Sequence, residues 1–217
     1  MKKILTIIAL AICSMTMMAE DLHVGDLYYE ITAIEGGYAA KIVPHRSYKK
    51  LETIEIPEYI YYQGVELPII IGKGAFYECK KLIDIIIPKN VISIENKAFY
   101  GTALYNDPNS WYNGALCIDG CLIKASEYIP ENYTIDNVVR LIADRAFECC
   151  WSLKSVTIPS SVGRIGMLLF LGCENLNRVY FNGTQEQWWR IEKDETWYNE
   201  DGSQPTIYSS DGAFVVL

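Results

Sequence analysis

The sequence predicts a mainly β solenoid with short helical turns, built from stacked units of 23 residues. Phe76 and Phe99 stand 23 residues apart, and so do Phe147 and Phe170. Other apolar positions keep step with them. Ile71, Ile94, Ile142 and Ile165 lie five residues before each Phe, and Leu82, Leu153 and Leu176 lie six after. Nine after come Ile85, Val156 and Val179; eleven after come Ile87, Ile158 and Phe181. An apolar pattern held at a period in the twenties marks stacked repeats, because one unit has too little core to fold alone. Composition agrees: 217 residues, 50% hydrophobic and 21% charged, are enough for one such stack with a cap at each end.

Within one unit the order is strand, corner, short turn. Leu153, Val156 and Ile158 face inward, with Ser155 and Thr157 between them facing out. That final alternation has the period of two of a half-buried strand. Pro88 and Pro159 end their strands, where a missing N–H costs no ladder bond. The AFxxC segment is too short for a packed helix, so one tight turn is expected there, driving Phe into the stack.

These offsets closely resemble the BspA-like leucine-rich repeat family, also called the Treponema pallidum type, with a unit similar to LxxIxIPxxVxxIGxxAFxxC. Leu153 to Pro159, Val162, Ile165, Gly166, Phe170 and Cys173 occupy its positions. Leu82 to Pro88, Val91, Ile94, Ala98 and Phe99 match as well, with Thr102 in place of Cys. The resemblance runs from about Leu51 to Phe181. It implies an exported surface protein of a host-associated bacterium that mediates adhesion or protein binding. It supplies no catalytic residue to carry over.

The ends and the interruption follow in chain order. MKKILTIIALAICSMTMMA (1–19) has the Lys2-Lys3 start, apolar run and small Ala19 of a secretory signal, and is too short to span a membrane. Cys13 follows Ile12 rather than a small residue, so lipid attachment there is not expected. No later run is long enough to span a bilayer. Residues 20–50 form the expected N-terminal β cap, a hairpin of Leu27–Ile34 and Tyr38–Val43 about Glu35-Gly36-Gly37. The repeats occupy 51–181. Leu51, Ile54 and Ile56 give a first rung, whose Phe slot, counted back from Leu51, is His45. A second hairpin turns at Gln63-Gly64. Residues 103–134 interrupt the period with loop formers and a hairpin about Asp119-Gly120, in a WYNGALCIDGCLI segment similar to one found in the family. In 182–217, Thr184 to Gln187 fits a capping box opening a short helix. Gly183-Thr184 and Gln187-Trp188 resemble the family's C-terminal cap.

The formal charge is −8, and −10 once Lys2 and Lys3 leave with the signal. An acidic surface repels phosphate backbones, so nucleic acid is not an expected partner. Six cysteines remain beyond Cys13. Cys79, Cys150 and Cys173 share the slot three residues after Phe, which a small buried thiol explains. Rungs about 4.8 Å apart also permit a Cys150–Cys173 disulfide. Cys117 and Cys121 fall on opposite faces of their hairpin. There is no C-x-x-C pair, no HExxH, no phosphate loop and no G-x-S-x-G, so no enzyme activity, metal or cofactor is expected.

The expected function is protein binding or adhesion by a secreted or cell-surface module, with host extracellular matrix or another bacterial surface as the target class. The strands of successive rungs should align into one narrow sheet. Its outward positions are Thr53 and Glu55, Asp84 and Ile86, Ser155 and Thr157, Arg178 and Tyr180. Of these Glu55, Asp84, Ile86, Thr157, Arg178 and Tyr180 are the candidate ligand-binding residues, since exposed apolar, Arg and Tyr side chains are typical of contact surfaces. Among 16 Tyr and 5 Trp, exposed aromatics make glycan binding the alternative, whereas Trp188 and Trp189 are expected to cover the last rung.

Overall fold

The computed structural model describes residues 22–198 and 205–215. The expected signal (1–19), residues 20–21 of the expected N-terminal cap, and residues 199–204 and 216–217 of the expected C-terminal cap lie outside the described residues. No helix among the described residues is long and apolar enough to cross a membrane.

The chain opens as an antiparallel meander of β1 (Leu22–Val24), β2 (Leu27–Ile34) and β3 (Gly37–Ile42). A 3-10 helix, Arg46–Lys50, leads into β4 (Thr53–Glu55). The hairpin of β5 (Ile60–Tyr62) and β6 (Val65–Leu67) turns at Gln63-Gly64 as expected, both at positive φ. Then come β7 (Ile69–Ile71), β8 (Asp84–Ile86), β9 (Val91–Ile94) and the short helix α1 (Ala103–Asn106). The interruption is a second meander: β10 (Trp111–Tyr112), β11 (Ala115–Ile118) and β12 (Cys121–Ala125). It turns at Asn113-Gly114 and Asp119-Gly120, four residues at positive φ; only the second turn was read from sequence. The repeat resumes with β13 (Asn132–Thr134), β14 (Leu141–Ile142), β15 (Ser155–Pro159), β16 (Arg164–Ile165) and β17 (Arg178–Asn182). The end consists of α2 (Gln185–Trp189), β18 (Glu192–Lys193) and the hairpin β19 (Thr206–Ser209) and β20 (Gly212–Val215).

Repeat strands pair in parallel, and the period of the sequence is the register of the ladders. Ser155 lies against Arg178, Leu141 against Arg164 and Asn132 against Ser155, each a step of 23 residues. One ladder face runs β3-β7-β9, then β12-β14-β16-β18. The other runs β4-β8, then β13-β15-β17-β19. Between them stand the phenylalanine turns. The residues two before and two after each Phe are left-handed: Gly74 and Glu78, Lys97 and Gly101, Arg145 and Cys149, Leu168 and Gly172. Non-glycine residues are strained there. The gain is a row of N–H groups aimed at the next turn. Gly74, Phe76 and Glu78 donate to the carbonyls of Asn96, Ala98 and Tyr100. Arg145, Phe147 and Cys149 donate likewise to Met167, Leu169 and Leu171.

The phenylalanine rings stack along the core at 5.5 Å, Phe76 on Phe99 and Phe147 on Phe170, all buried. The first slot corrects the sequence reading. Tyr48, not His45, continues the column: it is fully buried, with its ring 5.3 Å from Phe76. The 3-10 helix carries the chain inward three residues after His45. His45 instead accepts from Ser47 N at that helix's start and stacks on Tyr28 at 3.6 Å. The hydrophobic interior forms two clusters, one on each side of the second meander. The β11–β12 hairpin belongs to both: Leu116, Cys121 and Ile123 face the first, and Ala115, Leu122 and Ala125 the second. Alternation along a strand puts successive side chains on opposite faces, so one hairpin serves two cores.

At the end of the chain the Thr184 capping box forms in full, with Gln187 Oε1 accepting from Thr184 N. Trp188 is buried against Phe181 and Trp197. Trp189 does not cover the last rung: one position on around the helix, it is 48% exposed, with its ring against Phe214.

Candidate functional site

The six candidate residues all lie on outward strand positions, and the structure divides them into two groups. Glu55 on β4 pairs across the ladder with Ile86 on β8, whose strand begins at Asp84. Glu55 and Asp84 are exposed, and Ile86 is 52% exposed. On the second ladder Thr157 (β15) pairs with Tyr180 (β17), and Arg178 with Ser155. The expectation of one narrow sheet is therefore corrected: β4-β8 and β13-β15-β17-β19 are separate sheets. The physical reason lies at one hydrogen bond. Ile56 N donates to Ile86 O (3.1 Å) and Ile135 N to Thr157 O (3.0 Å), each joining a strand to its successor. At the equivalent place Ile87 N donates instead to Asp119 Oδ2 (2.8 Å), at the tip of the β11–β12 hairpin. A side chain closes the edge that a third strand would have taken.

The second group makes the larger surface. Its outward rows are Asn132, Ser155 and Arg178, then Thr134, Thr157, Tyr180 and Tyr208. Tyr180 and Tyr208 are both partly exposed, with ring centroids 5.4 Å apart. Beside them opens a shallow depression of about 320 Å³ lined by Asn132, Lys154, Ser155, Asn177 and Arg178. Ser155 Oγ donates to Asn132 Oδ1 at 2.7 Å. Lys154 pairs with Glu131 at 2.9 Å, and Arg178 has no such partner among the described residues. The surface thus offers a guanidinium with no ion-pair partner among the described residues, two phenol rings and amide and hydroxyl groups.

Sequence reasoning reached Arg178 and Tyr180 but not Lys154 or Asn177, which lie on the corners leading into β15 and β17. It also missed Tyr77 and Tyr100, stacked at 5.6 Å and 15° on the turn side and nearly half exposed. The signal was present, since each directly follows a repeat phenylalanine.

The thiols differ in character: Cys79, Cys121 and Cys150 are raised, whereas the hydrogen bond with Cys150 lowers Cys173. Cys117 and Cys121 do fall on opposite faces, exposed and buried. Burial pushes the Cys121 thiol up to about 12 and also raises Cys79. The hydrogen bond with Cys173, and then burial, pushes Cys150 well above the usual thiol range. A raised thiol is largely protonated at neutral pH and a poor nucleophile. Cys173 Sγ donates to Phe147 O at 3.0 Å.

The model of the BspA type leucine-rich repeat region matches residues 46–107 and 126–189 in six copies. The chain belongs to the BspA-type leucine-rich repeat family. The match leaves out 108–125, which is the second meander, so the family repeat and the two ladders break at one place. Solved structures similar to this BspA-type chain include a leucine-rich cell surface protein from Faecalibacterium prausnitzii A2-165 (22% identity, 79% of this chain and 42% of that chain, TM-score 0.30). Others are a leucine-rich repeat protein from Bacteroides ovatus (20%, 74% and 47%, TM-score 0.30) and one from T. pallidum (18%, 70% and 78%, TM-score 0.33). This chain spans less than half the length of the first two. No curated protein matches it.

Proposed function

We propose that the chain is a non-catalytic, secreted or cell-surface solenoid, capped at both ends, that binds a protein partner through the outward strand face. The observation that supports this reading is Arg178, without an ion-pair partner among the described residues, beside the Tyr180–Tyr208 pair at the rim of a depression. Arg and Tyr are enriched among the residues that dominate protein interfaces, and an exposed guanidinium can pair with a carboxylate of another chain. Thr157 belongs to the same sheet, and Glu55, Asp84 and Ile86 form a second outward patch on β4-β8, Ile86 as an exposed apolar contact. Host extracellular matrix or another bacterial surface is the target class. Residues 1–19 act as the export signal, 20–50 and 182–217 as the caps, and 51–181 as the repeats.

A pull-down from host extracellular material compares the parent with a variant combining Ile86→Ser, Arg178→Ser and Tyr180→Ser. The expected result is loss of the captured protein with an unchanged melting temperature. Unchanged affinity in a variant that melts like its parent places the binding surface elsewhere. Signal on a glycan array, with none on a panel of matrix proteins, selects the glycan-binding alternative.

A further inference from the structure

The second meander leaves one edge of the repeat stack open. In the Phe76–Phe99 and Phe147–Phe170 steps the N–H groups at Phe−2, Phe and Phe+2 meet carbonyls of the next turn, and Leu168 and Phe170 donate likewise to Thr196 and Tyr198. The Phe99 turn has the same backbone, with Lys97 and Gly101 left-handed at φ +59° and +76°. Yet no acceptor among the described residues meets the N–H of Lys97, Phe99 or Gly101. The other side of the gap is closed. Ala125 N donates to Ala146 O (2.7 Å) and Lys124 Nζ to Arg145 O and Glu148 O (3.1 and 3.0 Å), so the Ala146 and Glu148 carbonyls of the Phe147 turn are taken, as Ala98 and Tyr100 are in the Phe99 turn. On the strand side Asp119 closes the corresponding edge. The Phe99 turn is thus left with three donors that no described residue takes.

A cavity of about 120 Å³ lies at that place, lined by Lys97, Phe99, Tyr100 and Tyr105 on one side and Lys124 and Glu148 on the other. Three acids and three bases line it in all, which leaves no net charge to select a free anion. A row of donors at alternate residues, in a neutral surround, matches neutral acceptors spaced along a chain. Main-chain carbonyls at alternate residues have this spacing, since they fill the same donor positions in the neighbouring turns.

We propose that this edge is a second binding site, separate from the strand face, which takes a turn of a partner polypeptide through its main-chain carbonyls as the missing rung. Recognition by backbone groups on an open edge is the principle of strand addition, applied here to a turn. It tolerates many side chains, because the donors read carbonyls.

The probe is a synthetic peptide copying residues 94 to 102 (IENKAFYGT), whose third, fifth and seventh residues, Asn96, Ala98 and Tyr100, carry the carbonyls that the Phe76 turn takes. It is titrated to millimolar concentration into the full chain labelled with ¹⁵N, in parallel with neutral chitotriose. The expected result is saturable shifts confined to the Lys97, Phe99 and Gly101 amides and their neighbours. Their hydrogen exchange should slow at least tenfold with the peptide and remain unchanged with the sugar. The variant Arg178→Ser with Tyr180→Ser should respond in the same way. The proposal is overturned if the peptide leaves these amides unmoved, which makes the cavity a crevice for about four waters at ~30 Å³ each. It is also overturned if chitotriose alone moves them, or if the strand-face variant abolishes the shifts.

Discussion

Between Phe76 and Phe99 the N–H groups at Phe−2, Phe and Phe+2 find carbonyls of the next repeat, and between Phe147 and Phe170 the same is true; between Phe99 and Phe147 none of the three finds one among the described residues. The two regular steps and the broken one share the same turn backbone, down to the left-handed residues on either side of Phe. A repeat therefore determines its own interior and the groups it presents, and its successor determines whether they are used. The difference also explains why the hydrophobic interior splits in two while the chain continues: the β11–β12 hairpin joins the two clusters by its two faces, without replacing the missing turn.

The comparison can be broken most forcefully through the cores. Phe76→Ala and Phe147→Ala each remove a buried ring stacked on a neighbour, and each should cost about 3–5 kcal/mol in urea unfolding. If the shared hairpin couples the clusters, both variants shift one cooperative transition. Two separate transitions, each moved by one variant alone, would show two independent units. A midpoint no different from that of a surface change would defeat the alignment of the repeats.

Alkaline pH loads the same two cores. Burial raises Cys121, Tyr48 and Tyr133 to about 12, against ordinary values of 9.0 and 10.0. The folded chain keeps protons that the unfolded chain loses, so stability should fall as pH rises from about 9 toward 12. Lys124 and Lys193, lowered by burial, act in the opposite sense but are outnumbered. Melting temperature against pH checks the trend; a flat profile up to pH 11 contradicts it.

A smaller change sharpens the contrast between the closed and open edges. Asp119→Asn keeps a residue that tolerates positive φ but weakens the acceptor for Ile87 N. It should cost about 1 kcal/mol in the same urea titration and speed exchange at the Ile87 amide. No change at that amide would mean the hairpin tip does not close the strand edge. Smallest is the exposed pair: Tyr77→Ala and Tyr100→Ala, combined in a double-mutant cycle, should give a coupling of about 0.5–1 kcal/mol.

The period, the buried repeat positions, the hairpins at Gly36, Gly64 and Gly120 and the capping box were legible in the sequence, because each rests on local chemistry. Glycines at turns, alternation in Val156 to Ile158 and a Thr-to-Gln spacing all act within a few residues. What escaped depends on distant partners. Nothing near His45 says that a 3-10 helix will hand the Phe slot to Tyr48. Nothing near Ile87 says that Asp119 will take its N–H and split the outward face in two. Of the candidate site, Arg178 and Tyr180 were legible from strand alternation. The depression beside them was not, because Asn132, Lys154 and Asn177 come together only through the register of two ladders.

The most direct measurement is residue-resolved hydrogen exchange of the free chain. The Phe76 and Phe147 amides should be strongly protected, and the Phe99 amide, in the same turn with the same burial of its ring, should exchange many-fold faster. Protection at Phe99 equal to that at Phe76 would contradict the open edge, and with it the account of where this stack of repeats is broken.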